Sequence, residues 1–376
     1  MHDAGGVELS KEGKGMSEKA KTELRGDAPV VLEALVGRAV AARASDVHLQ
    51  TEAGGVRVSF RLDGRMTGAG EYSAELGERV MGRIKYLARL KTYEDALPQD
   101  GRIAGSELGV AGDIRVSTYP TVTGEKIVLR LFEVGGVVEL VELGLPGGAL
   151  LEVEDYLVGD TGMLLLTGPA GSGKTTTIYA CLRRVLAMGG RHVITVEDPV
   201  EQVIPGLMQT EVNEAVGLGF ARAARHLLRQ DPEVLVLGEI RDEETAALAL
   251  RAALTGHQVV TTLHAGSCRG VFDRLLLLCG EEYVVYSAVE LVLNQRLVRR
   301  VCVGCGGRGC GECLGTGFLG RAWGVEHLRM TDGLRARARV EGTGVLVSER
   351  PLRVMAGELC RAGVTNELEV GRTLGT

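Results

Sequence analysis

The feature that most constrains the fold of this chain is a glycine-rich octapeptide. Residues 168–175, GPAGSGKT, fit the pattern G-x-x-x-x-G-K-[ST]. The apolar run at 163–166 predicts a buried strand just before it, and residues 176–188 have helical periodicity just after it. This order of strand, loop and helix is the context that a phosphate-binding loop requires, so a chance match in a chain with 54 glycines is disfavoured.

Such a loop predicts a site for a nucleoside triphosphate and Mg²⁺. Its backbone N–H groups curl around the phosphates, and the start of the following helix adds its dipole. We expect the Lys174 side chain to reach the β- and γ-phosphates and the Thr175 hydroxyl to coordinate Mg²⁺. The predicted nucleotide-binding residues are Gly168, Pro169, Ala170, Gly171, Ser172, Gly173, Lys174, Thr175 and Thr176.

The pattern of hydrophobic residues divides the chain into two predicted domains. Around the glycine-rich loop, continuous apolar runs at 192–196, 234–237 and 258–263 alternate with helical patterns, which predicts an α/β domain with a mostly parallel, doubly covered sheet. Earlier in the chain, strands that alternate apolar and polar residues at 56–62, 113–118 and 126–132 accompany helical patterns, which predicts a small α+β domain.

The predicted domain boundaries follow from this change of pattern. A flexible tail is predicted for 1–30, a small domain for 31–133 and the α/β domain for 134–376, with a linker near 133–138. The larger domain includes a cysteine module at 302–313 and a helical C-terminal region at 331–376.

Acidic side chains follow two of the apolar runs. Glu239 comes after 234–237, where a neighbouring strand would present it to Mg²⁺, and Glu197, Asp198 and Glu201 come after 192–196. One of the latter three could orient the attacking water, although an acidic loop alone is more often simply solvated. His264 follows 258–263, where a polar side chain could sense the γ-phosphate, or it could be an ordinary core histidine.

Composition excludes several classes of protein. The net charge is −6 and aromatic residues make up 4%, so the basic surface and stacking residues of a nucleic-acid motor are not indicated, and no nucleic-acid partner is expected. Residues 1–27 lack an apolar signal segment, and no run of 18 apolar residues occurs. We therefore expect a cytoplasmic protein.

Four cysteines form a compact metal-ligand pattern. Cys302, Cys305, Cys310 and Cys313 make two C-x₂-C pairs, and four thiolates in a tetrahedral array suit Zn²⁺. The alternative is a reduced cluster without metal, or a redox role.

Taken in order, these motifs resemble the ATPases of type II secretion and type IV pilus assembly. The similar strings are the phosphate loop, ITVEDPVE at 194–201, LRQDPEVLVLGEIRD at 228–242, TGH at 255–257 with TLH at 262–264, and QRLVR at 295–299. ASDVHL at 44–49, QDGR at 99–102 and RVS at 115–117 extend the resemblance upstream.

The resemblance implies a hexameric motor with a small PAS-like domain before a RecA-like ATPase domain. It implies Glu201 as the general base, Glu239 as the Walker B carboxylate and His264 as a sensor, with Glu197 a weaker candidate for the base. Arg102, Arg115 and Arg130 fall where the family supplies arginines to the phosphates. Of these, Arg115 and Arg130 have the closer motif context, and the alternative is that they are ordinary polar-face residues.

The resemblance also implies partners and leaves alternatives. It implies an inner-membrane platform protein and a location at the cytoplasmic face of that membrane. Secretion and pilus-extension members carry a tetracysteine module, which disfavours a pilus-retraction motor. Ala170, Gly266 and a four-residue spacer between the cysteine pairs depart from the family pattern, so a degenerate, nucleotide-gated assembly subunit is a further alternative.

Overall fold

The computed structural model of the chain describes residues 27–131 and 138–375. It divides into two compact units, Met1–Gly135 and Gly136–Thr376. The predicted flexible tail and the predicted linker lie almost entirely outside the described residues. Among the residues described, no helix is both long and apolar enough to cross a bilayer.

The described part of the first unit is a sheet with two helices packed against it. All strand pairs are antiparallel, in the order β3-β2-β1-β6-β5-β4. The strands are β1 Asp46–Glu52, β2 Gly55–Leu62, β3 Arg65–Tyr72, β4 Gln99–Ile103, β5 Ile114–Thr121 and β6 Gly124–Leu131; the helices are α1 Ala28–Ala41 and α2 Ala74–Leu87.

Apolar and polar residues alternate along the strands, so this sheet has one apolar and one polar face. Val47 on β1 pairs with Phe60 on β2 and with Leu129 on β6, and all three are buried in a core shared with α1 and α2. The neighbouring residues of each strand point the other way because side chains alternate along a strand. Asp46, which pairs with Arg61 and Arg130, therefore belongs to the polar face.

The second unit contains a seven-stranded sheet within its described residues. The order is β13-β12-β7-β11-β10-β8-β9, parallel except for β13. The strands are β7 Gly162–Thr167, β8 Val193–Glu197, β9 Met208–Glu211, β10 Val234–Leu237, β11 Gln258–Leu263, β12 Val289–Val301 and β13 Phe318–Arg329. The helices are α3 Gly147–Val158, α4 Lys174–Met188, α5 Phe220–Leu227, α6 Glu243–Leu254, α7 Cys268–Cys279, α8 Glu282–Ala288, α9 Asp332–Glu341, α10 Leu352–Arg361 and α11 Glu367–Leu374.

Both faces of this sheet are covered, as the apolar runs predict. Along β7, Met163 and Leu165 belong to a core with α5, α6, α7 and α8, whereas Leu164 and Leu166 belong to a core with α3 and α4. All six residues of β7 are buried. The apolar run 163–166 is explained by these two cores, since neither face of the strand meets water.

A buried ion pair fastens the C-terminal helix α11 to the long strand β12. The Arg299 guanidinium lies 2.6 Å from Glu369 Oε2 and 3.9 Å from the centre of the Phe318 ring. Glu369 is 1% exposed, and Arg372 donates to it as well. Burial opposes the ionised carboxylate, but the hydrogen bonds from Arg372 and Arg299 outweigh it and lower the pKa of Glu369 to about 2.

We expect Glu369→Gln to lower the free energy of unfolding by about 3 kcal/mol at neutral pH, because it leaves the buried Arg299 charge uncompensated. A carboxyl whose pKa is lowered by folding stabilises the protein above its ordinary pKa of 4.5. That contribution is lost as the pH falls from about 4.5 towards about 2. Denaturant unfolding at several pH values measures it. The control is Glu367→Gln, an exposed glutamate on the same helix; equal effects of the two variants would contradict the prediction.

Candidate nucleotide site and cysteine centre

The glycine-rich loop joins the buried strand β7 to the start of α4. Gly168, Gly171 and Gly173 have φ of 140°, 73° and 88°, a region that side chains disfavour. A Cβ on Gly168 would also lie 2.4 Å from the carbonyl oxygen of Gln295, so the close approach to β12 requires glycine. The loop thus has the geometry that the octapeptide predicts.

Lys174 lies folded over this loop. Its Nζ donates to the carbonyl oxygens of Gly168 at 2.9 Å and Pro169 at 3.0 Å. Burial is the main reason that the pKa of Lys174 is lowered; the nearby Arg296 adds to this, and Glu239 opposes it. Thr175 and Thr176 are exposed at the start of α4. The arrangement leaves the lysine ammonium and the helix N-terminus at one edge of the sheet.

The carboxylate that follows β10 lies at the same edge. Glu239 is joined to Arg241 by a short ion pair, and its Oε2 lies 3.7 Å from His264 Nε2, which follows β11. Arg241 also reaches Asp198 after β8, at 3.2 Å. The structure therefore brings Glu239 and His264 together and adds Arg241 as a link between the ends of two strands.

His257 lies at the opposite edge. It precedes β11, and β11 pairs with β7 in parallel from Gln258 opposite Gly162 to Leu263 opposite Thr167. The His257 ring contacts the carbonyl oxygen of Ala252 at 3.1 Å. Of the two histidines that bracket this strand, only His264 is at the phosphate-loop edge.

The two glutamates considered as the base have different surroundings. Glu197 is 7% exposed and accepts hydrogen bonds from Tyr179, from Thr195 at 2.6 Å and from Gln209 at 3.0 Å. Its two oxygens are thus occupied by protein donors. Glu201 is exposed, in the loop that follows β8.

Tyr179 orders this acidic loop. Its hydroxyl donates to Glu197 and accepts the backbone N–H groups of Glu201 and Gln202, each at 3.2 Å. Burial, followed by the bond to Glu197, raises the pKa of Tyr179, so the phenol remains protonated. The tyrosine on α4 therefore connects the helix of the phosphate loop to the backbone that carries Glu201.

The three arginines that the family resemblance assigns to the phosphates lie in one row of the sheet in the first unit. Arg102 on β4 pairs with Arg115 on β5, which pairs with Arg130 on β6, which pairs with Asp46 on β1. Residues directly opposite one another share a face, so all four lie on the polar face. Asp46 accepts from Arg130 Nε at 3.0 Å and is ion-paired with Arg61 at 3.2 Å.

The four cysteines form one cluster at the tip of the β12–β13 hairpin. All Sγ atoms lie within 4.8 Å of one another, and Cys302 to Cys310, Cys305 to Cys313 and Cys310 to Cys313 measure 3.9, 3.9 and 3.7 Å. Tetrahedral zinc with Zn–S bonds of about 2.3 Å places its sulfurs about 3.8 Å apart. The four thiols therefore fit Zn²⁺.

The four residues between the two cysteine pairs, 306–309, make a tight turn because three of them are glycines. Gly307 and Gly309 have φ of 83° and 92°, and Gly317 has φ of 74°. A Cβ on Gly317 would lie 2.3 Å from the carbonyl oxygen of Gly307, and one on Gly309 would lie 2.7 Å from that of Gly315. Backbone N–H groups of Cys310 and Gly317 donate to Cys313 Sγ. Glycine thus lets four intervening residues suffice.

A phosphate loop after a central strand of a mostly parallel sheet, with a carboxylate after another parallel strand at the same edge, defines a RecA-like P-loop protein. Strand β11 lies between β7 and β10, so the expectation that a neighbouring strand presents Glu239 is wrong; the carboxylate follows the second strand along. The family described as "Type II/IV secretion system protein" matches residues 23–371. The chain belongs to that family.

Named relatives agree with this assignment. Type II secretion system protein E of Klebsiella pneumoniae is 38% identical over 378 residues, covering 92% of this chain and 76% of the relative. Type II secretion system protein HxcR of Pseudomonas aeruginosa is 42% identical over 316 residues, covering 81% and 67%. Both relatives are named as type II secretion system proteins.

Solved structures agree on the fold. The pilus retraction motor PilT with bound ADP has a TM-score of 0.66 at 25% identity, covering 91% of this chain and 96% of that one. The ATPase DotB of Legionella pneumophila has a TM-score of 0.72 at 22% identity, covering 94% and 96%. The predicted α/β, RecA-like fold is confirmed, while the PAS-like character of the first unit stays a prediction.

Proposed function

We propose that this chain is an ATP-hydrolysing hexameric motor that powers assembly of a type II secretion pseudopilus or a type IV pilus. The observation that carries the proposal is the meeting of Lys174, Glu239 and His264 at one sheet edge of a secretion-family protein. A nucleotide-gated subunit without hydrolysis would need Lys174 and Glu239 to bind the nucleotide and Mg²⁺, but not a base such as Glu201.

We propose a role for each residue of the site. Backbone N–H groups of the loop 168–176 would hold the phosphates, and Lys174 would exchange its carbonyl partners for the β- and γ-phosphates. Mg²⁺ would be held by the Thr175 hydroxyl and by Glu239, directly or through water, and it neutralises charge that develops on the phosphates. Glu201 would orient the attacking water, and His264 would sense the γ-phosphate.

We propose that the arginine row of the first unit has a catalytic role. The Nε atom of Arg130 is held by Asp46, while its side chain is 65% exposed. Its remaining donors suit the charge that spreads over the γ-phosphoryl oxygens, and Arg115 lies next to it in register. We expect Arg115 and Arg130 to be needed for hydrolysis.

The cysteine centre favours secretion or pilus extension over retraction. We propose that Cys302, Cys305, Cys310 and Cys313 hold one Zn²⁺ at the tip of the β12–β13 hairpin. The fit of the sulfur spacing to tetrahedral zinc supports this. We further propose a platform protein at the cytoplasmic face of the inner membrane as the partner, and no nucleic-acid partner.

The biological role is tested by deleting the gene in its host and complementing it. We expect loss of a secreted protein or of surface pili, restored by the wild-type gene but not by Lys174→Ala, because the motor needs bound ATP. Loss of twitching motility with hyperpiliation would instead indicate retraction. Full complementation by Lys174→Ala would contradict an ATP-driven role.

A further inference from the structure

The chain has a single tryptophan, and it lies against the phosphate loop. A Cβ on Gly173 would lie 2.3 Å from Cη2 of the Trp323 indole, so the ring sits directly over the residue that precedes Lys174. At its other end, Cδ1 would lie 3.9 Å from a Cβ on Gly144. The indole therefore spans two glycines, of which one belongs to the phosphate loop.

The position of Trp323 is fixed by the strand that carries it. Trp323 lies on β13 opposite Leu297 of β12, between the buried residues Ala322 and Gly324. It packs against the apolar cluster of α3 and α4, yet it is only half-buried. Part of a large aromatic surface is thus rigidly held and open to solvent beside the loop.

A nucleotide bound in the loop would carry its base beyond the phosphates. The loop cradles the α- and β-phosphates and Lys174 reaches the β- and γ-phosphates, so the nucleoside extends from the α-phosphate side. The start of α4 is open there, since Thr175 and Thr176 are exposed. The half-buried Trp323 indole lies over Gly173, two residues before Thr175, and an aromatic ring is a good stacking partner for a planar base.

We propose that Trp323 forms the wall of the base-binding pocket and stacks on the base of the bound nucleotide. This inference rests on the proposed function, because it requires that the loop binds a nucleotide. It adds a residue that none of the phosphate-binding motifs contains. It also makes binding depend on the base as well as on the phosphates, with purines favoured by their larger stacking area.

Because Trp323 is the single tryptophan, intrinsic fluorescence measures its contact with the base directly. We expect MgADP to change the intrinsic fluorescence of the wild-type chain and to protect it from acrylamide quenching. Magnesium tripolyphosphate, which has no base, should leave both nearly unchanged. Equilibrium dialysis of the two ligands on the same samples establishes that each is bound at the concentrations used.

Two matched variants separate stacking from packing. Trp323→Leu keeps an apolar side chain over Gly173 but has no aromatic face, whereas Trp323→Phe keeps a smaller one. We expect Trp323→Leu to weaken MgADP binding about 10-fold and Trp323→Phe by less, while tripolyphosphate affinity stays within about 2-fold in both.

The outcomes are distinct. Equal losses of ADP and tripolyphosphate affinity in Trp323→Leu would show that the indole only supports the loop, and would overturn the inference. Bound ADP without a fluorescence change would also overturn it. If the wild-type chain bound neither ligand, the proposed function would fail together with this inference.

Discussion

Glu201→Gln is expected to reduce the steady-state rate of ATP hydrolysis by about 10²- to 10⁴-fold, the range typical for loss of a general base. The amide is nearly the same size but cannot accept a proton from water. Because Glu201 is exposed in a loop that Tyr179 holds through backbone N–H groups, the loop should keep its shape. ADP affinity should therefore change little, which fluorescence or dialysis measures beside the rate.

Glu197→Gln is the matched control, since it makes the same chemical change in the same acidic loop. Glu197 is buried and accepts from Tyr179, Thr195 and Gln209, so an amide would place a donor against existing donors. We expect a loss of about 1–3 kcal/mol in the free energy of unfolding. If Glu197→Gln were stable but inactive while Glu201→Gln retained full activity, the base would have to be Glu197.

Removing zinc should have the largest effect on stability. We expect one zinc per chain by elemental analysis, and less than about 0.1 per chain in Cys313→Ser, because three thiolates leave the tetrahedral site incomplete. Structural zinc contributes roughly 10–16 kcal/mol in isolated finger peptides, so the melting temperature should fall clearly. The hairpin tip should also become sensitive to proteolysis.

Cys360→Ser is the control for this experiment, because Cys360 is a partly buried thiol outside the cluster. It should retain full zinc and the wild-type melting temperature. Wild-type protein that contains no zinc after expression with zinc, and whose four thiols react freely with a maleimide, would contradict a metal centre. A pair of disulfides found by mass spectrometry would instead favour the redox alternative.

The fold was predictable where a pattern has one physical meaning. The apolar run at 163–166 forms most of β7. One core packs on each face of this strand, which explains why the run is apolar throughout. The Asp63-Gly64 pair marks the turn between β2 and β3, with φ of 47° and 81°. Helical periodicity predicts helices at 30–44 and 74–90, and the structure has α1 and α2 there, each ending three residues earlier.

Several elements were not foreseen, because their sequences mix signals. The string at 295–299 lies inside the long strand β12, where Arg296, Arg299 and Arg300 interrupt an apolar pattern. Arg299 is buried through a partner 70 residues away, Glu369, which no local pattern can reveal. Strand β13 contains two glycines and reads as a loop until its pairing with β12 is known.

The same limit applies to the candidate site. Motif spacing singled out Lys174, Glu239 and His264, which the structure brings to one edge. Tyr179 and Trp323 were missed, because their importance depends on contacts between distant segments of the chain. A tyrosine on a helix face and a tryptophan on a strand are ordinary core residues in sequence alone.

The central claim, an ATP-driven hexameric motor, is tested most directly by the steady-state ATPase rate of the purified wild-type chain, measured across the fractions of a size-exclusion column. Lys174→Ala supplies the background rate. We predict activity that is confined to the hexameric fraction and absent from the variant. A hexamer that binds MgATP but does not hydrolyse it, even with zinc and its membrane partner supplied, would contradict the claim.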